Sequence, residues 1–382
     1  MGIHILQVIE TTGPESATKP WWPGLDGLRG VAVVFVVVVH LWQPWYPAGW
    51  MGVSIFFALS GFLITTLLLR EHDETGKIDM VAFWTRRARR LLPALLLVVV
   101  SAVALSALFN PDVLHISAMS GASALTYTSN WRTIANPHEL SQIDPIGHLW
   151  SLSVEEQIYL VMPVMTAAAL ISRRIRWEVV GLVVAVIAAG ILRWWGTFPA
   201  YFATPVQVIP IAGGAALAWY RRHKLAGTDA HTLIDRYTAK SIIYASAAYF
   251  VWAGYLSDQH GFASSVSWGI PAVAVMSVLM IAAIVDHPRG FANPALRWVG
   301  ERSYGLYMWH YIIYKTFVEW NRFAILAVSL VIVELSYRYL ETPIRRRTGF
   351  GANMRRPLTT LLSTSAVITF VLFGLGLATA AN

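Results

Sequence analysis

The chain contains no cysteine and little charge, and each shortage removes classes of function. With no cysteine among 382 residues, disulfides, thiolate metal sites and a cysteine-bound acyl intermediate are excluded. Charged residues make up 13% of the chain, about half the usual share of a soluble domain. The sequence also shows no internal repeat, no low-complexity tract and no stretch with the composition of a separate soluble domain. A soluble globular enzyme is therefore excluded.

The chain is instead rich in apolar residues: 56% of its residues are hydrophobic, and long apolar runs recur throughout. These runs predict an all-α fold, a polytopic membrane helix bundle of about 11 transmembrane helices. The predicted spans are 28–44, 49–69, 91–109, 148–171, 177–195, 204–220, 240–257, 267–285, 302–319, 321–340 and 357–378. The first residues lack a basic region and a small-residue cleavage site, so no signal peptide is expected.

The net charge of +8 is explained by membrane topology. If the N-terminus is cytoplasmic, only Arg132, Arg193, Lys315 and Arg322 lie outside, which leaves 25 of the 29 lysines and arginines inside. This asymmetry follows the positive-inside rule, and nucleic acid is not expected as a partner. The moderately apolar segment His115–Trp131 is interpreted as an outer-side or re-entrant helix, since counting it as a span would invert the topology that follows.

Three polar groups interrupt the first span. Arg29 and His40 are eleven residues apart, so they share one face of a helix about 16 Å apart along its axis, and Asp26 lies one turn before Arg29. Exposing this polar stripe to lipid would be costly, so it is predicted to face the bundle interior or a wet cavity. The alternative is an interfacial Asp26–Arg29 salt bridge and a hydrogen-bonded core histidine.

A second polar group opens the fourth span, in "GHLWSLSVEEQIYLVMP". His148 and Glu155 are seven residues apart and share a face, while Glu156 points about 100° away. The topology places Glu155 in the outer half of the membrane, at the depth of His40. A carboxylate there would orient the imidazole of His40 as a general base. The alternative is a buried hydrogen-bond network that only locks the helices together.

A third group, "FWTRRARRLLPALL", precedes the third span. Its arginines repeat at one-turn spacing, Arg86 with Arg89 and Arg87 with Arg90, as guanidinium pairs that bind phosphate oxygens do. Arginines are also expected at any cytoplasmic membrane edge, which is the alternative reading. Together the three groups indicate a reaction that bridges two compartments.

These motifs resemble those of the acyltransferase 3 family of bacterial integral-membrane acyltransferases. The match covers about residues 21–347. It rests on the arginine, ten residues and histidine of the first span, on "GVSIFFALSGFLIT", on the Arg-x-x-Arg element of "RRARRLLPAL" aligned as Arg87 and Arg90, and on "HLWSLSVEEQIYL", which carries Glu155. "SYGLYMWH" and "YLETPIRR" fit the late spans. The first of these two motifs contains Ser303, Tyr304 and His310, which are assigned supporting roles. For His310 the favoured interpretation is a structural hydrogen bond to a neighbouring helix.

The resemblance implies transfer of an acyl group, often acetyl, from cytoplasmic acyl-CoA to a hydroxyl of an extracytoplasmic glycan or glycolipid. In the resulting hypothesis, Arg29, Arg86, Arg87 and Arg90 bind acyl-CoA, His40 and Glu155 are catalytic, and Asp26 and His148 support them. Neither a metal nor a permanently bound cofactor is expected.

The resemblance also implies an organisation and a location. A cytoplasmic tail is expected at 1–23, the acyltransferase membrane domain at 24–347, and a linker with an extra transmembrane helix at 348–382. The protein would lie in the bacterial inner membrane with its N-terminus in the cytoplasm and its C-terminus outside. A proton-coupled transporter or lipid flippase that uses the same buried polar groups is the competing interpretation.

Overall fold

A computed structural model describes residues 22–42, 49–142, 144–171, 201–226, 232–260, 262–346, 364–365 and 367–375. In these ranges the regular elements are helices and no strand occurs, which confirms the all-α prediction. The α-helices, numbered in chain order, are α1 Pro23–Leu41, α2 Trp50–Thr75, α3 Met80–Phe109, α4 Leu114–Leu125, α5 Ser129–Ala135, α6 Pro137–Gln142, α7 Trp150–Ile171, α8 Thr204–Leu225, α9 Arg236–His260, α10 Phe262–Asp286, α11 Pro294–Glu301, α12 Ser303–Thr316, α13 Arg322–Ser336 and α14 Thr342–Arg346. Short 3₁₀ turns at Pro111–Val113 and Gly147–Leu149 precede α4 and α7, and a π-helical turn, Tyr337–Glu341, follows α13.

Within the described ranges, six helical segments are long and apolar enough to cross a membrane. They are Pro23–Leu41, Trp50–Thr75, Met80–Phe109, Gly147–Ile171, Gly269–Asp286 and Arg322–Ile344. The predicted spans 204–220, 240–257 and 302–319 are helical too, as α8, α9 and α12, but they are shorter or less apolar. The predicted span 177–195 lies outside the described residues, and only part of 357–378 lies within them.

The third helix begins earlier than its apolar run. Asp79 caps it by accepting a hydrogen bond from the backbone N–H of Ala82 (2.9 Å), as N-cap carboxylates do. The helix α3 begins at Met80, and Pro93 lies in its interior. The arginines of the third motif are therefore on the same continuous helix as the apolar segment that is long enough to cross the membrane.

The first helix lies at the centre of the bundle, packed against α2, α11 and α12. Its contact with α11 depends on glycine, because a Cβ on Gly300 would lie 1.7 Å from the carbonyl oxygen of Asp26. The two backbones can approach this closely only where the side chain is a hydrogen atom. The packing fixes the position of α1, and with it the residues at both of its ends.

Helices α4 and α5 enter the bundle beside α7 and turn back at Tyr127 and Thr128. The side-chain amide nitrogen of Gln157 on α7 donates to the backbone oxygen of Tyr127 (2.7 Å) and to Oδ1 of Asn130 (2.9 Å). Tyr127 has a positive φ of 55°, a conformation that is uncommon for a residue with a Cβ. The turn between α4 and α5 is thus held by a side chain of α7.

Candidate active site

Three imidazoles and a tyrosine meet where α1 ends, α7 begins and α12 passes between them. Nδ1 of His40 lies 2.9 Å from Nε2 of His310. The ring of Tyr311 is 4.7 Å, centroid to centroid, from the ring of His40 and also 4.7 Å from that of His148. His148 and His310 are 5.7 Å apart by the same measure. We call His40, His148, His310 and Tyr311 the histidine cluster.

The backbone fixes the tautomers of the first two rings when both are neutral. Nδ1 of His310 lies 2.7 Å from the carbonyl oxygen of Leu306, one turn earlier on α12, and a carbonyl only accepts. Nδ1 of His310 therefore carries the proton, its Nε2 accepts from Nδ1 of His40, and Nε2 of His40 keeps its lone pair. That nitrogen has no hydrogen-bond partner among the described residues, and His40 is only half-buried. The arrangement leaves the lone pair on Nε2 of His40 available to a substrate.

Tyr307 holds the start of α7 against this cluster. Its hydroxyl donates to the carbonyl oxygen of His148 (2.5 Å), and it also accepts a hydrogen bond from the hydroxyl of Ser151. Tyr307 lies one turn before His310 and Tyr311 on α12, so a single helix face positions residues from α1 and α7. A sequence search for ionisable groups in apolar spans overlooks Tyr307 and Tyr311, because tyrosine is common near membrane interfaces.

A second polar cluster lies deeper in the bundle, around Glu155. Ser60 of α2 donates to Oε1 of Glu155 (2.5 Å), and the positive charges of Arg87, Arg29 and Arg90 act on its carboxylate. The guanidinium of Arg87 stacks on the ring of Tyr159, with Cζ 3.6 Å from the ring centroid. We call Arg29, Ser60, Arg87, Glu155 and Tyr159 the arginine–glutamate cluster. Ser60 gave no signal as a functional residue in the sequence, since uncharged polar side chains are frequent in membrane helices.

The structure does not bring the predicted pair of Glu155 and His40 together, because Glu155 accepts a hydrogen bond from Ser60 and His40 lies against His310. The depth of Glu155 was judged from the span as a whole, but it is His148 that lies level with His40. Glu155 is seven residues further along the helix, about 10 Å deeper. His310, which was expected only to brace a neighbouring helix, occupies the position next to His40 instead. Glu156, expected to point away, also lies within electrostatic reach of Arg87.

The arginine motif borders a groove at the end of α2 and the start of α3. The groove has a volume of about 500 Å³ and combines charged with apolar walls. Its lining residues are Ile64, Leu67, Leu68, Arg70, Glu71, Glu74, Phe83, Arg86, Arg87 and Arg90. Arg86 stands at the rim in an ion pair with Glu71 (3.2 Å). Arg87 lines the groove and also belongs to the arginine–glutamate cluster, so it connects the groove to the bundle interior.

The remaining predicted residues lie near the end of the bundle at which α1 begins. Asp26 lies in the first turn of α1, where α11 crosses it. Ser303, the first residue of α12, is buried, and its hydroxyl has no hydrogen-bond partner within the described part of the chain. The hydroxyl of Tyr304 donates to the carbonyl oxygen of Leu91 (3.0 Å) and ties α12 to α3. These three residues support helix packing around the site, and none of them is in the histidine cluster.

A polar network lies on the loop that leads into α7. Asp144 accepts hydrogen bonds from Ser120 (2.6 Å) and from the backbone N–H of Ile146 (3.0 Å), while Arg132 pairs with Glu139 (2.5 Å). Burial raises the pKa of Asp144 to about 6, although the two hydrogen bonds and the charge of Arg132 oppose the shift. The network fixes the loop four residues before His148.

A family model described as an acyltransferase domain matches residues 22–380, a range that contains the groove and both clusters. The chain belongs to the acyltransferase 3 family. This confirms the resemblance drawn from the motifs. Together with the six candidate spans, membership makes the chain a multi-pass membrane protein.

Several curated relatives cover most of the chain. "Peptidoglycan O-acetyltransferase OatA" of Listeria monocytogenes is 32% identical over 369 residues, which are 87% of this chain and 57% of the relative. "Putative peptidoglycan O-acetyltransferase YrhL" of Bacillus subtilis is 33% identical over 361 residues, 87% of this chain and 56% of the relative. "Putative O-acetyltransferase SAS0844" of Staphylococcus aureus is 31% identical over 364 residues, 88% and 59% respectively. The chain therefore spans less than three fifths of the length of these relatives. No solved structure gives a significant match.

Proposed function

We propose that this protein is an O-acyltransferase that moves an acyl group, acetyl by preference, from cytoplasmic acyl-CoA to a hydroxyl of an extracytoplasmic glycan. The observation that carries the proposal is the His40–His310 pair, which leaves Nε2 of His40 basic at one end of α1 while Arg29 and the arginine-lined groove lie at the other. The names of the relatives favour peptidoglycan as the acceptor and acetyl as the group transferred.

The groove suits the donor because coenzyme A combines phosphates with an apolar, extended arm. Arg86, Arg87 and Arg90 supply the planar guanidinium groups that bind phosphate oxygens in pairs. Leu67 supplies exposed apolar surface in the same groove, and the buried Leu68 and Phe83 also line it. A groove that combines arginine side chains with apolar residues matches acyl-CoA better than it matches a free phosphate.

The acyl thioester then has to reach the histidine cluster. In this account the pantetheine arm passes Arg87 and runs beside α1, where the rise from Arg29 to His40 is about 16 Å. An extended pantetheine arm spans that distance. The arginine–glutamate cluster lies along the first part of this path, and Glu155 there neutralises arginine charge that would otherwise be buried unpaired.

At the histidine cluster, Nε2 of His40 accepts the proton of the acceptor hydroxyl. The hydroxyl oxygen forms a bond to the thioester carbonyl carbon, the carbon–sulphur bond breaks, and the departing CoA thiolate takes up the proton from the imidazolium. His310 accepts a hydrogen bond from Nδ1 of His40 throughout and so stabilises the imidazolium. A two-step variant, in which His40 carries the acyl group before transfer, uses the same residues.

Sealed vesicles test the two-compartment feature. Inverted membrane vesicles that contain the protein are loaded with soluble peptidoglycan fragments, and acetyl-CoA labelled in the acetyl group is added outside. The proposal predicts labelled ester inside the vesicles and free CoA outside in equal amounts. Movement of fragments across the membrane without ester formation, and without any effect of acetyl-CoA, would establish the transporter interpretation instead.

A further inference from the structure

His148 is a buried imidazole whose ring nitrogens make no hydrogen bond of normal geometry. Its exposed fraction is 3%, and the backbones of Tyr307 and Met308 lie near the ring, but neither ring nitrogen meets the distance and angle of a hydrogen bond among the residues that the structure describes. Leaving a buried polar group unpaired costs about 1–3 kcal/mol. Such groups therefore call for a partner that arrives with a ligand or an ordered water.

The location of His148 identifies that partner. Its ring and the ring of His40 both contact Tyr311, each at 4.7 Å between centroids, so the two imidazoles flank one aromatic side chain. The backbone of His148 is held by Tyr307, whose hydroxyl donates to its carbonyl oxygen. Packing and the main chain therefore position the ring, and its nitrogens are available to hydrogen-bond a bound ligand.

Acyl transfer needs two different groups at the reacting carbon. One takes the proton from the attacking hydroxyl, and the other donates a hydrogen bond to the carbonyl oxygen as negative charge develops on it. His40 supplies the first through its basic Nε2. A neutral imidazole always carries one N–H, so His148 has a donor to offer beside it.

We infer that His148 is a further catalytic residue, which donates its ring N–H to the acyl carbonyl oxygen and stabilises the oxyanion formed when the acceptor hydroxyl attacks. This inference rests on the proposed acyltransferase function. No proton is transferred from His148. The charge on the oxygen collapses back into the carbonyl as the thiolate departs, and His148 is regenerated unchanged.

Four substitutions of one residue test the role. His148→Phe and His148→Ala remove the donor, whereas His148→Asn and His148→Gln place an amide N–H near the position of Nδ1 and Nε2 respectively. We expect kcat of the Phe and Ala variants to fall by about 10²–10³-fold, the usual effect of losing one oxyanion donor. One of the two amide variants should recover at least tenfold. His223→Phe, an exposed histidine at the end of α8, is the control and should behave as wild type.

A binding measurement separates this role from a structural one. Acetonyl-CoA keeps a carbonyl group but has a methylene group between the sulphur and the carbonyl carbon, so it lacks the reactive thioester bond and reports the carbonyl contact without turnover. His148→Phe should weaken binding of acetonyl-CoA and leave binding of free CoA unchanged. A folded His148→Phe protein with wild-type kcat, or with equal losses for both ligands, would overturn the inference. If wild-type protein neither binds acetyl-CoA nor transfers acetyl, it is the proposed function that has failed.

Discussion

Nδ1 of His40 lies 2.9 Å from Nε2 of His310, a residue 270 positions later in the chain. The contact joins the first helix of the bundle to α12, and the carbonyl of Leu306 fixes its proton arrangement. An imidazole held in this way resembles the oriented base of other acyl-transfer enzymes in its role, with a second imidazole in place of the usual carboxylate. The orientation of His40, rather than its presence alone, is therefore expected to govern the rate.

Replacing His310 tests this orientation. His310→Leu removes the acceptor for Nδ1 of His40, and we expect kcat for acetyl transfer to fall by about 10²-fold with KM for acetyl-CoA unchanged. His310→Gln retains an acceptor oxygen and should keep part of the rate. Steady-state kinetics on purified protein measures both. Equal activity of the Leu variant and wild type would show that His310 only packs.

Arg87 should matter for donor binding more than its neighbours at the same end of the bundle. Arg87→Lys keeps the charge but loses the planar group that stacks on Tyr159, so the dissociation constant for CoA should rise about tenfold or more. Arg222→Lys is the control, since Arg222 pairs with Asp73 at the same edge but does not line the groove. Titration calorimetry with free CoA measures both. Similar affinities for the two variants would place the phosphate site elsewhere.

The raised pKa of Asp144 predicts how stability depends on pH. Between its ordinary value of 3.8 and about 6, the folded protein holds a proton on Asp144 that the unfolded chain has released. This group therefore stabilises the fold at low pH and loses its contribution, about 3 kcal/mol, as pH rises to about 6. Asp144→Asn should match wild type near pH 4 and melt at a higher temperature at pH 7. Melting curves in detergent with a constant offset across that range would contradict the assignment.

The close approach of α1 and α11 predicts a strong effect of a small substitution. Gly300→Ala places a methyl group where the carbonyl oxygen of Asp26 now lies, and the helices must separate. We expect a loss of about 1–3 kcal/mol in stability, seen as a lower melting temperature and a lower yield in the membrane. Gly374→Ala, where a Cβ would meet nothing within 4 Å, is the control. A normal melting temperature for Gly300→Ala would mean that this crossing is wider than described.

The helices and the family could be predicted from the sequence because hydropathy and motif spacing are local properties. The positions of individual side chains within the bundle could not be predicted in this way. Glu155 was placed beside His40 because both occupy the outer part of a predicted span, but the depth of a side chain depends on where its helix enters. The 3₁₀ turn at Gly147–Leu149 brings His148 level with His40 and leaves Glu155 two turns deeper.

His310 was underestimated for a related reason. A lone histidine in an apolar helix satisfies its nitrogens in most cases by bracing a neighbour, and its sequence surroundings do not say which neighbour. Only the packing of α12 against α1 and α7 shows that its partner is His40. Ser60 and Tyr307 gave no signal because hydroxyl groups cost little in a membrane helix and carry no charge.

The central claim is that His40 removes the acceptor proton during transfer of acetyl from acetyl-CoA to a glycan hydroxyl. Its most direct test compares purified wild type with His40→Ala, given labelled acetyl-CoA and soluble peptidoglycan fragments at equal amounts of folded protein. The account predicts ester and free CoA in equal amounts for wild type, and a rate at least about 10²-fold lower for His40→Ala. Ester formation by His40→Ala at the wild-type rate would contradict it.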